Sequence, residues 1–255
     1  MSKTRYEESL DKDSIGTAWQ YDIRVRTAKE ELENPYWTNA DLTLKNAIVK
    51  PITMSLAKTI IEKYEWLGCM PAVNKYAFGI FFGELCGGVV VFGPEYSENL
   101  GVWDKYGYTG KMLLLSRGVC LHWTPKNTNS KLIMGAIKLL PPQYEVITCT
   151  TDHLAGEVGT IYQACNFHYV GSMRDSNPKN KNKERFGVII DGKLYGSRAM
   201  RSKIGSQRKD EILKRYPNAK FVKQKSKHRY FYFVGKRKHV LYTNIKHLIK
   251  PYPKR

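Results

Sequence analysis

Asp152 closes a β-forming run, Tyr144 to Thr151, and His153 follows it. Ligands of open α/β sheets gather where strands end against polar loops, so a carboxylate here is placed to take a proton or hold a ligand. The ordinary alternative is a turn aspartate capping the next loop. Tyr162 lies inside Val158 to Cys165, a segment with short-helix character. Its phenol is a candidate general acid or a holder of a leaving group, set against the common fate of a core tyrosine. The polar turn Thr124 to Ser130 opens onto a predicted helix, Lys131 to Leu140. A helix start offers unpaired N–H groups and the positive end of a dipole, a seat for a pyrophosphate that Lys126 and Lys131 would reinforce. A plain helix capped by Asn129 or Ser130 fits the same pattern. No Walker A or GxGxxG run occurs, so use of a nucleoside triphosphate or dinucleotide has no support.

Charge points to a partner. The 255 residues carry 42 Lys plus Arg against 23 Asp plus Glu, a net of +19. Residues 1–170 hold 17 basic and 18 acidic side chains, whereas residues 171–255 hold 25 and 5. An excess confined to one third predicts a polyanionic partner, because each cation set on a phosphate releases condensed counterions. A solubilising tail is the alternative. Aromatic residues interleaved there, among them Phe186, Tyr216, Phe221 and the run Tyr230 to Phe233, argue against it. Arg198, Arg201, Lys203, Arg208, Lys227, Arg229, Lys236 and Arg237 are the candidate phosphate contacts. Five cysteines, an odd number with no CxxC, argue against a disulfide framework or structural zinc. No apolar run reaches the roughly 18 residues of a membrane span, so a soluble, cytoplasmic protein is expected.

The elements that must position these groups begin at Asn46. Residues 1–45 read as an N-terminal arm, 46–175 as the catalytic core, and 176–255 as a basic part. With no flexible linker before it, that part can complete the same sheet. Ala47 to Val49 predicts a short strand, and Thr53 caps a helix with Leu56, Ile60, Ile61, Tyr64 and Leu67 on one face. A hairpin follows, Tyr76 to Phe82 and Leu85 to Phe92, whose Gly87-Gly88 suggests a bulge. The stretch Gly93 to Gly110 is long enough to favour a binding loop. Met112 to Trp123 predicts a strand containing Arg117, and Phe167 to Gly171 a further one. In the basic part, Asp191-Gly192 predicts a hairpin, Arg208 to Tyr216 a helix and Tyr230 to Val234 a strand. The fold class is α+β: a mixed, mainly antiparallel sheet flanked by helices.

This order of elements resembles the GNAT N-acyltransferase fold, in which the acyl-CoA pyrophosphate lies on the turn after the fourth strand. More narrowly, Thr151-Asp152, Gly156, Val158 to Ala164 and Tyr169-Val170-Gly171 are similar to the phage Mom family of DNA-modifying proteins. So are Asn129-Ser130 ahead of the helix, Arg229-Tyr230-Phe231 to Gly235, and the ending Pro251-Tyr252-Pro253-Lys254. The resemblance implies conversion of adenine N6 in DNA to a carbamoylmethyl group, which protects phage DNA from restriction. It also implies functional roles for Ser130, Asp152 and Tyr162, and an acyl donor such as acetyl-CoA held at Lys126, Asn127, Thr128, Asn129 and Ser130. The family's His-Tyr pair, implicated in iron binding, falls on Lys63-Tyr64 or on Glu65-Trp66, and neither keeps the His. Glu65 and Asp152 remain candidate ligands for a hard metal.

The expected partner is double-stranded DNA, bound by a monomer or homodimer, with Tyr76, Trp66, Trp103 and Tyr108 available to stack on a flipped base. Two other readings stay open: an N-acyltransferase acting on another amine, and a non-catalytic DNA- or RNA-binding protein on the same fold.

Overall fold

The computed structural model describes residues 19–30, 43–95, 101–152, 155–171, 185–191, 193–195, 200, 205–224 and 227–254. These contain α1 (Trp19–Glu30), β1 (Ile48–Pro51), α2 (Met54–Tyr64), β2 (Tyr76–Phe82) and β3 (Leu85–Gly93). Next come β4 (Met112–Cys120), α3 (Thr128–Leu139), β5 (Val146–Thr151), α4 (Thr160–Ala164) and β6 (His168–Gly171). The basic third supplies β7 (Arg185–Ile190), β8 (Lys193–Tyr195), α5 (Lys209–Arg215), β9 (Lys220–Gln224), β10 (His228–Phe233) and α6 (Lys238–Ile245). Seven strands form one sheet in the order β1-β2-β3-β4-β5-β10-β6, and three form a smaller sheet, β8-β7-β9. Every neighbouring pair in the large sheet is antiparallel except β4 and β5. This is the mixed, mainly antiparallel, helix-flanked sheet expected from the sequence. Among the described residues no helix is long and apolar enough to cross a membrane.

Strand β3 is apolar on both faces because a layer covers each. On one side Val90, Phe92, Leu115 and Ile147 lie under Leu132, Ile133 and Ala136 of α3. On the other, Val89, Val91 and Val119 meet Ala57, Ile60 and Ile61 of α2, while Val146, Phe231 and Phe233 meet Leu241 and Ile245 of α6. Helix α2 starts as expected: the Thr53 hydroxyl accepts the Leu56 N–H at 3.2 Å. The bulge in the hairpin falls at Gly87, since Ile80 faces Gly88 and Phe81 already faces Cys86. A Cβ there would stand 2.7 Å from the Phe82 ring and the Thr124 methyl, so glycine is required.

Four expectations change. Within the predicted arm lies α1, which has no apolar stripe; of its side chains only Thr27 is buried. Distant contacts hold it: Gln20 Nε2 donates to the Tyr64 carbonyl at 2.8 Å, and Gln20 Oε1 accepts the Trp66 N–H at 3.1 Å. Residues 101–110 of the supposed binding loop are exposed except for three aromatic side chains that they pin into the core. Trp103, Tyr106 and Tyr108 are buried, and the Tyr108 hydroxyl donates to the Leu241 carbonyl at 2.7 Å. Trp103 and Tyr108 are therefore removed from the candidates for base stacking. Helix α3 begins at Thr128 rather than Lys131, because Asn127 takes a left-handed conformation (φ 69°) that turns the chain early. Finally, the basic third divides: β10 runs between β5 and β6, whereas β7, β8 and the unforeseen β9 build the smaller sheet over Val188, Ile190, Met200 and Ile212.

Candidate functional site

Strands β4 and β5 pair only from Met112 with Val146 to Leu115 with Cys149. Beyond that point β4 continues along β3 to Cys120, and β5 continues along β10 to Thr151. The two strands part beyond Leu115 and Cys149, leaving a gap in the sheet.

The start of α3 borders this region. The Asn127 side chain makes no cap, so the first-turn N–H groups of the helix lack the usual side-chain acceptor. Thr128 is buried, its hydroxyl donating to the Pro125 carbonyl at 2.7 Å. Asn129 Oδ1 accepts from Cys120 Sγ at 3.2 Å, and the Ser130 hydroxyl is hydrogen-bonded to Cys165, lowering a thiol pKa that burial raises. Lys126 and Asn127 are exposed. Lys131 does not reinforce the anion seat, because its ammonium donates to the Leu44 carbonyl.

Three carboxylates gather at the end of β5 and the end of α2. Asp152 follows β5, and its Oδ2 stands 3.8 Å from Lys227 Nζ. Glu157 accepts on both oxygens: the Trp66 indole N–H reaches Oε1 at 2.8 Å, and the Asp152 backbone N–H reaches Oε2 at 3.3 Å. Burial raises the Glu157 carboxyl above the usual range, against the pull of these two donors. Glu65, just past α2, is pushed up to about 7, chiefly by burial; Arg117 opposes the rise and Glu157 adds to it. No hydrogen-bond donor among the described residues reaches Glu65 Oε2, although Arg117 Nε lies 3.5 Å away. Arg117 is itself anchored by donating to the Cys69 carbonyl at 2.8 Å.

Tyr162 approaches the same gap from α4. Burial holds its phenol well above the ordinary tyrosine range, and Cys149, Glu157 and Glu65 push it in the same direction. Its hydroxyl is hydrogen-bonded to Cys149. Helix α4 can begin where it does because Gly159 is left-handed (φ 72°); a Cβ there would stand 2.7 Å from the Tyr230 ring. The Tyr230 hydroxyl in turn donates to the Val158 carbonyl at 2.6 Å.

The structure thus brings Asp152, Tyr162, Glu65 and Lys227 to one region, while the described contact of Ser130 runs to Cys165. Glu157 and Arg117 were not singled out as site residues from sequence. The available signal for Glu157 was a lone acid between Gly156 and Val158, two residues that carry the family resemblance. Trp66 is at the site, edge-to-face with Trp19 at 4.9 Å. Tyr76 lies elsewhere, edge-on to Tyr144 at 5.8 Å.

Candidate phosphate contacts separate sharply. Arg229 faces inward: it binds Glu95 Oε2 and Thr148 Oγ1, both at 3.1 Å, and covers the Trp103 ring. Arg237 is ion-paired with buried Glu145, whose carboxyl it holds below the usual range. Arg208 pairs with Asp210 at 2.8 Å on an exposed surface, and Lys227 and Lys236 are exposed. Arg198, Arg201 and Lys203 lie outside the described residues.

A metal fits poorly. Among the described residues no three His, Cys, Asp or Glu side chains gather as a ligand set. Beside Glu65, moreover, the Arg117 guanidinium occupies a cation's position. Iron, with Glu65 and Asp152 as ligands, has no support here.

A family model described as the Mom protein family matches residues 46–254. The methylcarbamoylase mom of Escherichia phage Mu is 28% identical over 219 residues, 82% of this chain and 85% of that protein. Among solved structures, an IAA acetyltransferase from Bacillus cereus ATCC 14579 aligns over 74% of this chain and 99% of its own, with 11% identity and a TM-score of 0.39. A GNAT family acetyltransferase from Elizabethkingia anophelis with acetyl-CoA bound aligns over the same shares, with 10% identity and a TM-score of 0.39.

Proposed function

The chain belongs to the Mom protein family, and from that membership we propose that it is a DNA-modifying transferase that converts adenine N6 to a carbamoylmethyl derivative. One observation carries the reading beyond the family match. The basic region and the candidate base share an edge: Lys227, just ahead of β10, stands 3.8 Å from the Asp152 carboxylate. A phosphate backbone drawn to exposed cations there would bring its bases to the end of β5.

Adenine N6 is a weak nucleophile because its lone pair is delocalised into the ring. Asp152 would take a proton from N6 as the new bond forms, with the target base out of the stack. Tyr162, kept a phenol by burial, is in the protonation state of a donor and would protonate the leaving group. The start of α3, from Asn127 to Ser130, has no side-chain cap and fits the anionic part of an acyl donor of the acetyl-CoA type, with Lys126 beside it. For a carbamoylmethyl product the donor must carry a –CH₂–CO–NH₂ group whose methylene carbon is bound to a leaving group. N6 bonds to that carbon as the bond to the leaving group breaks, with the N6 proton going to Asp152 and the Tyr162 proton to the departing group. Acetyl transfer from acetyl-CoA itself would give N6-acetyladenine. Lys227, Lys236 and Arg208, with Arg198, Arg201 and Lys203, would meet duplex DNA in the host cytoplasm, shielding phage DNA from restriction.

The test is mass spectrometry of nucleosides from a plasmid propagated in cells expressing the protein. A deoxyadenosine species carrying the carbamoylmethyl increment is expected. Unmodified DNA from cells holding soluble, DNA-bound protein would overturn the enzyme reading in favour of a binding module.

A further inference from the structure

We propose that Glu157 is a positioning residue, tying the end of β5 at Asp152 to the indole of Trp66 and so setting the geometry of the site; the functional part rests on the reading above. Its two oxygens are both used, at 2.8 Å by Trp66 Nε1 and at 3.3 Å by the Asp152 amide. The main chain closes the same loop, since the Glu157 and Ala155 N–H groups both donate to the Asp152 carbonyl, at 3.2 and 3.0 Å. Residues 152–157 connect the candidate base to α4, which carries Tyr162. Any shift in this loop therefore changes the separation of base and acid.

The far end of the tie is also anchored. Trp66 lies 91 residues before Glu157 in the chain and follows α2, a different layer of the fold. Its backbone N–H is held by Gln20 at 3.1 Å, and its ring meets Trp19. The hydrogen-bond path Gln20–Trp66–Glu157–Asp152 thus begins in α1, outside the matched residues 46–254, and ends at the candidate base.

The chemistry makes the role specific to a carboxylate. Both partners are N–H donors, and only a group that accepts on two oxygens satisfies both. Glutamine has the same shape but would turn its NH₂ toward one of them. Glu157→Gln is therefore a near-isosteric probe that loosens one tie while leaving the volume unchanged.

The experiment compares full-length wild type, Glu157→Gln, Trp66→Phe and the double variant by nucleoside mass spectrometry, DNA gel shift and ¹⁵N NMR of the indole groups. The Trp66 Nε1–H resonance, identified by its loss in Trp66→Phe, moves upfield in Glu157→Gln while those of Trp103 and Trp123 stay. Modification falls about tenfold or more in Glu157→Gln, since small misplacements of reacting groups have large effects. DNA affinity changes less than about threefold, and the double variant is no worse than the more damaged single. Wild-type modification by Glu157→Gln, or an unmoved Trp66 resonance, overturns the proposal. Should Glu157→Gln not fold, Trp66→Phe decides: modification at wild-type level overturns it, and a loss with DNA binding kept supports it. A wild-type protein that leaves DNA unmodified defeats the functional reading instead, while the Trp66 resonance still tests the tie.

Discussion

Lys227 and Arg229 lie two residues apart where β10 begins, yet they belong to different regions. Arg229 faces a closed one, its side chain 17% exposed and its Glu95 partner 6%. Its guanidinium is matched by a carboxylate, a hydroxyl and the Trp103 ring. Lys227 faces an open one, 47% exposed against 18% for Asp152, at a looser 3.8 Å. Near that open end lie Glu65 and Glu157, whose carboxyls sit above their ordinary range. The closed side has its charges satisfied and holds the sheet together. The open side keeps charge in partial burial, the condition under which groups exchange protons near neutral pH.

The strongest way to break this comparison is on the closed side. Arg229→Ala should destabilise the fold by about 3–5 kcal/mol in urea titrations, because the buried Glu95 carboxylate loses the guanidinium that reaches both of its oxygens. Arg229→Lys should recover only part, lacking the planar fork. A loss under about 1 kcal/mol would mean that this face is not locked. Removing everything from Ser206 onward would test folding rather than DNA binding, since β10 lies between β5 and β6.

On the open side, Asp152→Asn and Tyr162→Phe should each lower modification by about 100-fold or more while stability moves by less than about 1 kcal/mol. DNA binding by gel shift should stay within a few-fold. Two variants with normal modification would remove the chemical half of the contrast.

Glu65 gives a smaller, pH-dependent effect. Its folded pKa of about 7 lies above the ordinary 4.5, so the folded state holds this proton more tightly than the unfolded chain. Its contribution is therefore intact below about 4.5 and is lost as pH rises to about 7, by on the order of 1–3 kcal/mol. Glu65→Gln should remove that slope, read as the difference between urea midpoints of the two proteins from pH 5 to 8. Parallel curves would show that the Glu65 carboxyl titrates as an ordinary one.

The smallest effect sharpens the contrast. Lys227→Gln should leave stability unchanged, weaken DNA binding a few-fold and reduce the salt slope of log K by about 1. If Arg229→Lys did the same, the two cations would not differ as their settings indicate.

Much of the fold was legible locally. The Thr53 cap, the hairpin from Tyr76 to Gly93 and the Asp191 turn depend on residues near one another in the chain, so composition and period suffice to find them. Helix α1 was not legible, because its hold on the fold comes from Gln20 and Trp19 meeting Tyr64 and Trp66 rather than from its own pattern. Trp103 and Tyr108 looked like loop aromatics for the same reason: the surfaces that bury them, Phe231 and Leu241, come more than a hundred residues later.

For the candidate site, the sequence by itself determined the residue types: a carboxylate after β5, a phenol on a short helix, a polar turn opening onto a helix, and a basic third. Which charges meet which partners was decided only by the tertiary structure. Insertion of β10 beside β5 turned Arg229 toward Glu95 and set Lys227 by Asp152. The parting of β4 from β5 let Tyr162 and Glu65, carried by helices of different layers, influence one another. Local sequence sets backbone preference and hydrophobic period. Burial, pairing and proton affinity depend on what the rest of the chain brings within a few ångströms, and that is a property of the folded whole.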